Sequence, residues 1–167
     1  MKLLRYRQPV GSIFDLLGTK EDDMTYALGF VASRSLEFAS RLVQKVGGPS
    51  GVIKDGIVRL QEVDGDGRTD VEIEWPNRFN AVFEAKRGPW LPTAEQLAKY
   101  IPRLRANVAP IKRLVTVTNA PAAYASASLP NAIEEIPIAH LMWREVFHLA
   151  RAAKPSEGNR NKALLDE

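Results

Sequence analysis

The sequence predicts an α/β domain in which helices flank a mixed central sheet. Three observations lead to this fold class. Apolar residues recur at helical spacing near the N-terminus, strand-like runs separated by turns fill residues 53–86, and two buried apolar runs follow a second helical pattern. The predicted order is αβββαβ, followed by a further strand and a C-terminal helix. With 167 residues the chain is about one domain long, and we treat residues 1–167 as a single domain.

The first predicted helix runs from about Lys20 to Val46. Thr19 is its expected cap, and Gly47-Gly48-Pro49 ends it. Before it, residues 1–18 read as a lead-in segment whose apolar residues can dock on the core: Ile13, Phe14, Leu16 and Leu17. The apolar stripe of the helix consists of Leu28, Val31, Phe38, Ala39, Leu42, Val43 and Val46.

The central segment predicts a three-stranded meander. Its strands are expected at Ile53–Val63, Arg68–Trp75 and Asn80–Lys86. Asp64-Gly65-Asp66-Gly67 and Pro76-Asn77-Arg78 form the two turns. Because Ala81, Val82 and Phe83 are a continuous apolar run, both faces of the third strand are expected to be buried.

The second half of the chain predicts two helices and two buried strands. A helix begins near Thr93, and Pro102 is expected to kink it or end it early. Its core-facing residues are Ala94, Leu97, Ile101 and Leu104. The strands are Arg113–Thr118 and Ile136–His140, the closing helix is Trp143–Ala152, residues 119–131 are a loop or a poorly formed helix, and residues 154–167 are a flexible tail.

Composition narrows the chemistry available to the chain. Cysteine is absent, which excludes disulfides, cysteine zinc sites and a thiol nucleophile, and two histidines are too few for a histidine-rich metal cage. The kind of metal site left open is the binding of Mg²⁺ or Mn²⁺ by carboxylates. The net charge of +3 weakly favours an anionic partner. No apolar run is long enough to cross a membrane and no secretion signal is visible, so the expected location is cytoplasmic.

The most informative charges lie on the second and third predicted strands. Asp70, Glu72 and Glu74 share one side of their strand, and Glu84 and Lys86 share one side of the next. In an antiparallel pair, Asp70 and the Glu84–Lys86 pair can lie near the same end, and the sequence leaves the strand register open. Two carboxylates, joined by the carbonyl of Ala85, would bind a divalent cation, and Lys86 would orient or deprotonate water. The alternative is a surface hairpin with cross-strand ion pairs.

These residues resemble the motif of the PD-(D/E)XK nuclease superfamily, which has the restriction-endonuclease-like fold. The motif is an acid on one strand followed by (Asp/Glu)-x-Lys on the next, matched by Asp70 and Glu84-Ala85-Lys86, with Thr69 at the position of the usual proline. The resemblance covers about residues 21–118. It implies a Mg²⁺- or Mn²⁺-dependent deoxyribonuclease with a role in defence, restriction, repair or mobile elements.

The resemblance also implies an acid on the first core helix. At about 100° per residue, Glu21 falls near Leu28 on the apolar stripe, whereas Glu37 points roughly the opposite way. We therefore prefer Glu21, with Asp22 and Asp23 as neighbours that could replace it. Acids in a first helical turn also favour the helix dipole without any catalytic role.

A further element, Gln96-x-x-x-Tyr100, is similar to one found after the lysine in exonuclease-like branches of the superfamily. Residues four apart share a helix face, so both side chains could contact the active site or DNA backbone. The alternative for Gln96 is a capping box with Thr93.

Nucleic acid is the expected partner. The proposed phosphate contacts are Arg78, Arg87, Lys99 and Arg103, in a region that also contains Arg105, Lys112 and Arg113. A solvated helix face is the alternative for any one of them. Trp75, Trp90 and Trp143 could stack on bases, although packing is the safer interpretation, as it is for His140 and His148. The second functional hypothesis is a non-catalytic nucleic-acid-binding or assembly module, and a homodimer or larger assembly is compatible with either function.

Overall fold

The computed structural model of the chain describes residues 4–5, 8–9, 20–52, 54–64 and 67–154. The helices are α1 (Glu21–Arg34), α2 (Leu36–Lys45), α3 (Ala94–Ala98), α4 (Ile101–Ala106), α5 (Ala122–Ser128) and α6 (Trp143–Ala153). The strands are β1 (Leu4–Arg5), β2 (Gln8–Pro9), β3 (Ile57–Leu60), β4 (Val63–Asp64), β5 (Gly67–Arg68), β6 (Val71–Trp75), β7 (Phe79–Ala85), β8 (Ile111–Thr118), β9 (Ala132–Ile133) and β10 (Ile136–Met142).

The centre of the fold is a six-stranded mixed sheet in the order β3-β6-β7-β8-β10-β9. The first three strands form the antiparallel meander, whereas β8 lies parallel to both β7 and β10. Antiparallel β9 closes the far edge. The predicted fold class, an α/β domain with a mixed sheet flanked by helices, is therefore confirmed.

Apolar residues fill both faces of the sheet. All seven residues of β7 are buried, as its apolar run predicts. Phe79, Ala81, Phe83 and Ala85 pack towards α1, α2 and α6, while Val82 packs towards α3 and α4. The seven apolar-stripe residues predicted for the first helix are all buried. β7 is therefore packed on both faces, and the residues that follow it have a fixed position.

The single helix predicted over residues 20–46 is wrong, because the chain breaks at Ser35. This residue has an extended backbone with φ of −114°, and its hydroxyl accepts a hydrogen bond from the backbone N–H of Phe38. Serine side chains compete in this way with helical hydrogen bonds and favour helix starts. Lys20 rather than Thr19 precedes α1, and Thr19 lies outside the described residues.

The first two strands of the meander are shorter than predicted, whereas the third, Phe79–Ala85, differs from the predicted Asn80–Lys86 by one residue at each end. The first is Ile57–Leu60, and the expected second strand is divided, because β5 pairs with β4 in a separate hairpin. Asp70 consequently lies just before β6 and not within it. The turn at residues 76–78 is confirmed, with Asn77 at φ of +58°. Gly65 and Asp66 of the other predicted turn lie outside the described residues.

The second predicted helix is also interrupted. Thr93 caps α3, but the chain leaves the helix at Lys99 and starts again as α4. Pro102 explains the break, since it has no N–H for the carbonyl of Ala98 and its ring would collide with that carbonyl. Leu97, Ile101 and Leu104 are buried as predicted, whereas Ala94 is exposed.

The remaining elements follow the predicted order. β8 and β10 contain the two predicted strands, and α6 closes the described chain. β8 is buried from Leu114 to Thr118, whereas within residues 136–140 only Ile136 is buried and Pro137 is exposed, so the burial predicted for the second strand is wrong. Residues 119–131 include the short helix α5. The apolar residues of the lead-in, Ile13 to Leu17, and residues 155–167 of the tail lie outside the described residues. Within the described ranges, no helix has the length and apolar character required to cross a membrane.

Candidate active site at the edge of the sheet

Several functional candidates meet at one edge of the sheet because of strand direction. β7, β8 and β10 are parallel, so their carboxyl ends lie at the same edge. β6 runs antiparallel to β7, with Val71 opposite Phe83, and its beginning therefore lies beside the end of β7. Continued by one residue, this register sets Asp70 opposite Glu84. The sheet itself thus brings together the two acids that the sequence places on neighbouring strands.

Asp70 is a buried carboxylate with a fixed orientation. Its exposed fraction is 7%, and its Oδ2 accepts a hydrogen bond of 2.8 Å from the backbone N–H of Ala85. Burial, and then the negative charge of Glu84, raises the pKa of Asp70 to about 6, despite the opposing effects of the Ala85 N–H and Lys86. The negative charge of the acids at this site therefore exceeds the positive charge of Lys86.

Lys86 links two acids that are distant in sequence. Its Nζ lies 2.7 Å from Oε1 of Glu84 and 3.1 Å from Oε1 of Glu21. Burial alone lowers the pKa of Lys86, but its hydrogen bonds with Glu84 and Glu21 and their charges outweigh that effect and raise it. The side chain is therefore a fixed ammonium group.

Tyr100 reaches the same acid from the helical side. Its hydroxyl donates a hydrogen bond of 2.5 Å to Oε2 of Glu84 and lies 3.2 Å from the carbonyl oxygen of Arg68. Burial, together with the hydrogen bond to Glu84 and its negative charge, raises the pKa of Tyr100 well above its ordinary value. The phenol consequently remains a neutral donor that holds Glu84 in one orientation.

The structure separates the four candidate acids of the first helix. Besides binding Lys86, Glu21 accepts a hydrogen bond of 3.1 Å from the backbone N–H of Arg87. Asp22 pairs with Arg68, and Asp23 accepts from the backbone N–H of Lys20 at the helix start. Glu37 pairs with Arg41 on α2. Glu21 is the one of these acids that contacts Lys86.

Gln96 does not join Tyr100 at the site. Its side chain is exposed, and its Oε1 accepts from the N–H of Thr93 while the Thr93 hydroxyl accepts from the N–H of Gln96. This is the capping-box alternative of the sequence analysis. The break at Lys99 also ends the helix face that the two residues were expected to share.

The predicted phosphate-binding residues have different environments. Arg87 and Lys99 are exposed, whereas the guanidinium of Arg78 lies 3.9 Å from the ring centroid of Trp75. Arg103 binds Oε2 of buried Glu72 through Nε at 2.8 Å and Nη2 at 2.6 Å. Arg103 is therefore the partner of a buried acid, and its role as a phosphate contact stays a prediction.

Other basic residues of that region also serve the fold. Arg105 pairs with Glu134, and Lys112 donates to the carbonyl oxygen of Arg105. Arg113 donates to the carbonyl oxygens of Val46 and Gly47, where α2 ends. The basic cluster of the sequence is thus largely engaged with protein groups.

Two residues at this edge were not predicted to have positioning roles. The indole N–H of Trp143, at the start of α6, donates to the carbonyl oxygen of Lys86 at 3.0 Å. Asn119 follows β8, and its Nδ2 donates to the carbonyl oxygen of Arg87 at 2.9 Å. Their position directly after a buried parallel strand is the signal that could have identified them, because such positions share one sheet edge.

The histidines have no part in this cluster. Nδ1 of His140 lies 2.8 Å from the Thr116 hydroxyl, and Nε2 lies 2.9 Å from the carbonyl oxygen of Ala120. Because a carbonyl only accepts, Nε2 carries a proton. His148 is exposed on α6 beside Phe147. Both agree with the packed or surface roles favoured by the sequence.

The donor set at the edge is suited to a hard cation. Asp70 and Glu84 supply carboxylate oxygens, and Lys86 binds Glu84 and Glu21 while its positive charge also acts on Asp70. Among the described residues, however, no group of three or more acidic or histidine side chains is arranged to hold a metal ion. A cation here would need backbone or water oxygens in addition to the two side chains.

Comparisons with family models, curated proteins and solved structures find no match to this chain. The functional conclusion therefore depends on the geometry of the site and on its chemistry.

Proposed function

We propose that this protein is a metal-dependent nuclease of the PD-(D/E)XK superfamily that hydrolyses DNA phosphodiester bonds. The proposal includes the restriction-endonuclease-like fold, whose helix, meander, helix and parallel strand correspond to α1 to β8. A role in defence, restriction, repair or mobile elements would follow from that membership.

One observation carries the proposal. Lys86 lies between Glu84 and Glu21, beside a buried Asp70 whose pKa is raised to about 6. Unneutralised carboxylates in a protein interior are costly, and such arrangements concentrate at functional sites. An ordinary surface hairpin, the alternative considered for these charges, would leave the acids exposed.

The proposed cofactor is Mg²⁺ or Mn²⁺, held by Asp70 and Glu84 with the carbonyl of Ala85. Two carboxylates completed by other oxygens suit Mg²⁺, which usually retains several waters. When bound, such a metal lowers the pKa of a coordinated water and neutralises charge on a phosphate.

The side chains have separate roles in this proposal. Because its pKa is raised, Lys86 remains protonated near neutral pH, so it would stabilise negative charge on a phosphate rather than accept a proton. Glu21 holds the Lys86 ammonium in place. Tyr100 fixes Glu84, and Trp143 fixes the backbone of Lys86.

A non-catalytic DNA-binding or assembly module is the second candidate. It is favoured by the lack of a three-residue metal group among the described residues and by the engagement of Lys86 with two acids. Such a module would bind DNA equally well in chelator and in Mg²⁺, with no dependence on Asp70 or Glu84.

Cleavage of duplex and single-stranded DNA by the purified chain, in Mg²⁺, Mn²⁺ or chelator, tests the proposal. We expect products with either metal and none in chelator. Lys86→Ala should abolish cutting, whereas Lys54→Ala, which removes an exposed lysine far from the site in sequence, should retain it. Absence of cleavage with both metals, or equal activity of Lys86→Ala, would refute the proposal.

A further inference from the structure

Trp90 differs from the other two tryptophans in its exposure to solvent. Trp75 is buried, with an exposed fraction of 7%, and Trp143 is partly buried and hydrogen-bonded to Lys86. The exposed fraction of Trp90 is 75%. Leaving so large an apolar side chain in water gives up most of the hydrophobic stabilisation that its burial would contribute to folding. Contact with another molecule would bury this apolar surface.

The segment that leads to Trp90 is held against the candidate active site. Asn119 donates to the carbonyl oxygens of Gly88 and Arg87, each at 2.9 Å. The carboxylate of Glu21 accepts from the N–H of Arg87 on the same segment. The chain from Lys86 towards Trp90 is therefore tied to residues of the sheet edge.

The orientation of the indole is also constrained. A Cβ added at Gly88 would lie 3.0 Å from Cδ1 and 3.2 Å from Nε1 of Trp90, so the ring edge rests against the Gly88 backbone. Glycine permits this approach because it has no side chain. A Cβ at position 88 would require the ring to move by a few tenths of an ångström.

We infer that Trp90 stacks on an unpaired base next to the phosphodiester in the site, so that the substrate class is nucleic acid with unpaired nucleotides. This inference rests on the proposed nuclease function. Bases of any sequence stack on an exposed indole, whereas bases inside a duplex have both faces covered by their neighbours. The exposed Arg87 lies on the same segment and can contact the phosphate backbone.

Binding in chelator tests this inference separately from cleavage. The probes are a fluorescent oligothymidylate and a duplex of the same length, followed by anisotropy and by quenching of tryptophan emission. The unmodified protein should bind the single strand more tightly than the duplex and lose tryptophan emission on binding. Trp90→Ala should weaken single-strand binding about 10-fold and remove most of the quenching, while Trp90→Phe should retain most of the affinity.

One further variant makes the test specific. Phe30→Ala removes another partly exposed aromatic side chain, near the middle of α1, and should leave binding unchanged.

Equal single-strand affinity of Trp90→Ala and the unmodified protein would overturn the inference, even if duplex cleavage were observed. Absence of binding to the single strand would overturn it as well. A change in self-association without a change in oligonucleotide binding would instead assign Trp90 to a protein interface. Conversely, Trp90-dependent binding without cleavage would uphold stacking and refute the nuclease.

Discussion

Tyr100 and Glu84 are joined by a hydrogen bond of 2.5 Å between the phenol at the start of α4 and a carboxylate near the end of β7. Together with the approach of the same hydroxyl to the carbonyl of Arg68, this contact connects the helical side of the domain to the sheet edge where Asp70 and Lys86 lie. A helix that contributes little catalytic chemistry of its own can therefore control the orientation of a proposed metal ligand.

Replacement of Tyr100 by Phe removes this donor while keeping the ring. Because the acceptor is a buried carboxylate, we expect the free energy of unfolding to fall by about 1.5–3 kcal/mol, measured by urea denaturation. Because its pKa is raised, Tyr100 should not ionise below about pH 11. The phenolate absorbance that develops up to that pH should therefore be the same in Tyr100→Phe and in the unmodified protein. Tyr124→Phe, which removes an exposed phenol, is the control. A loss of phenolate signal in Tyr100→Phe would contradict the buried donor.

Asp70→Asn should stabilise the protein near neutral pH. The carboxyl has a pKa near 3.8 when unfolded and about 6 when folded, so between these pH values the folded chain keeps a proton that the unfolded chain has lost. Its contribution to stability therefore falls as pH rises from 4 to 6. The amide can still accept from Ala85 but has no charge. We expect a gain of about 3 kcal/mol at most at pH 7.5 and none below pH 4, measured by urea unfolding without divalent metal. An equal change in the free energy of unfolding at pH 7.5 and below pH 4 would contradict the raised pKa of Asp70.

Glu21→Gln tests the choice among the acids of the first helix. The amide can still accept from the N–H of Arg87 but removes the charge that fixes Lys86. Groups that orient active-site residues typically contribute 10- to 100-fold, so we expect cleavage to slow by about that factor. Glu37→Gln, whose acid pairs with Arg41, should cleave normally. The reverse result would exclude Glu21 from the site.

Arg103→Ala should affect folding more than DNA binding. Glu72 is buried, and loss of its main partner leaves its charge with the Asn80 amide and with Arg59 at 3.7 Å, so we expect a cost of about 3 kcal/mol, the lower end for a broken buried pair. Arg105→Ala, which breaks the exposed pair with Glu134, should cost less than about 1 kcal/mol. Chemical denaturation measures both. A stable Arg103→Ala variant with weakened DNA binding would restore the phosphate-contact role expected from the sequence.

The sequence predicted the elements on which the site depends, because those elements have strong local patterns. The apolar run of β7 predicted a strand buried on both faces, and Glu84 and Lys86 directly at its end indicated a polar site. The turn at residues 76–78 predicted the antiparallel pairing that brings Asp70 near Glu84. The preference for Glu21 over Glu37 agrees with the contact of Glu21 to Lys86, but the helical spacing on which it was based does not extend across the break at Ser35.

Other features depend on tertiary contacts that one sequence does not display. The helix is interrupted at Ser35 because the serine hydroxyl accepts a hydrogen bond from the backbone N–H of Phe38. This bond competes with an apolar stripe that favours one continuous helix. Pro102 predicted a kink or an early end of the helix. The sequence did not show whether Gln96 and Tyr100 would still share a helix face. Arg103 was indistinguishable from a phosphate-binding arginine until its buried acid was known. The bond between Trp143 and Lys86 joins residues on non-consecutive elements.

Location of Mn²⁺ in crystals of the protein shows whether Asp70 and Glu84 bind a metal together, because the anomalous signal identifies the metal and its ligands in one experiment. We expect a peak about 2.0–2.3 Å from carboxylate oxygens of both Asp70 and Glu84, which disappears in crystals of Glu84→Ala. A protein that crystallises with Mn²⁺ elsewhere, or with none between these acids at saturating concentration, would contradict the proposed metal site.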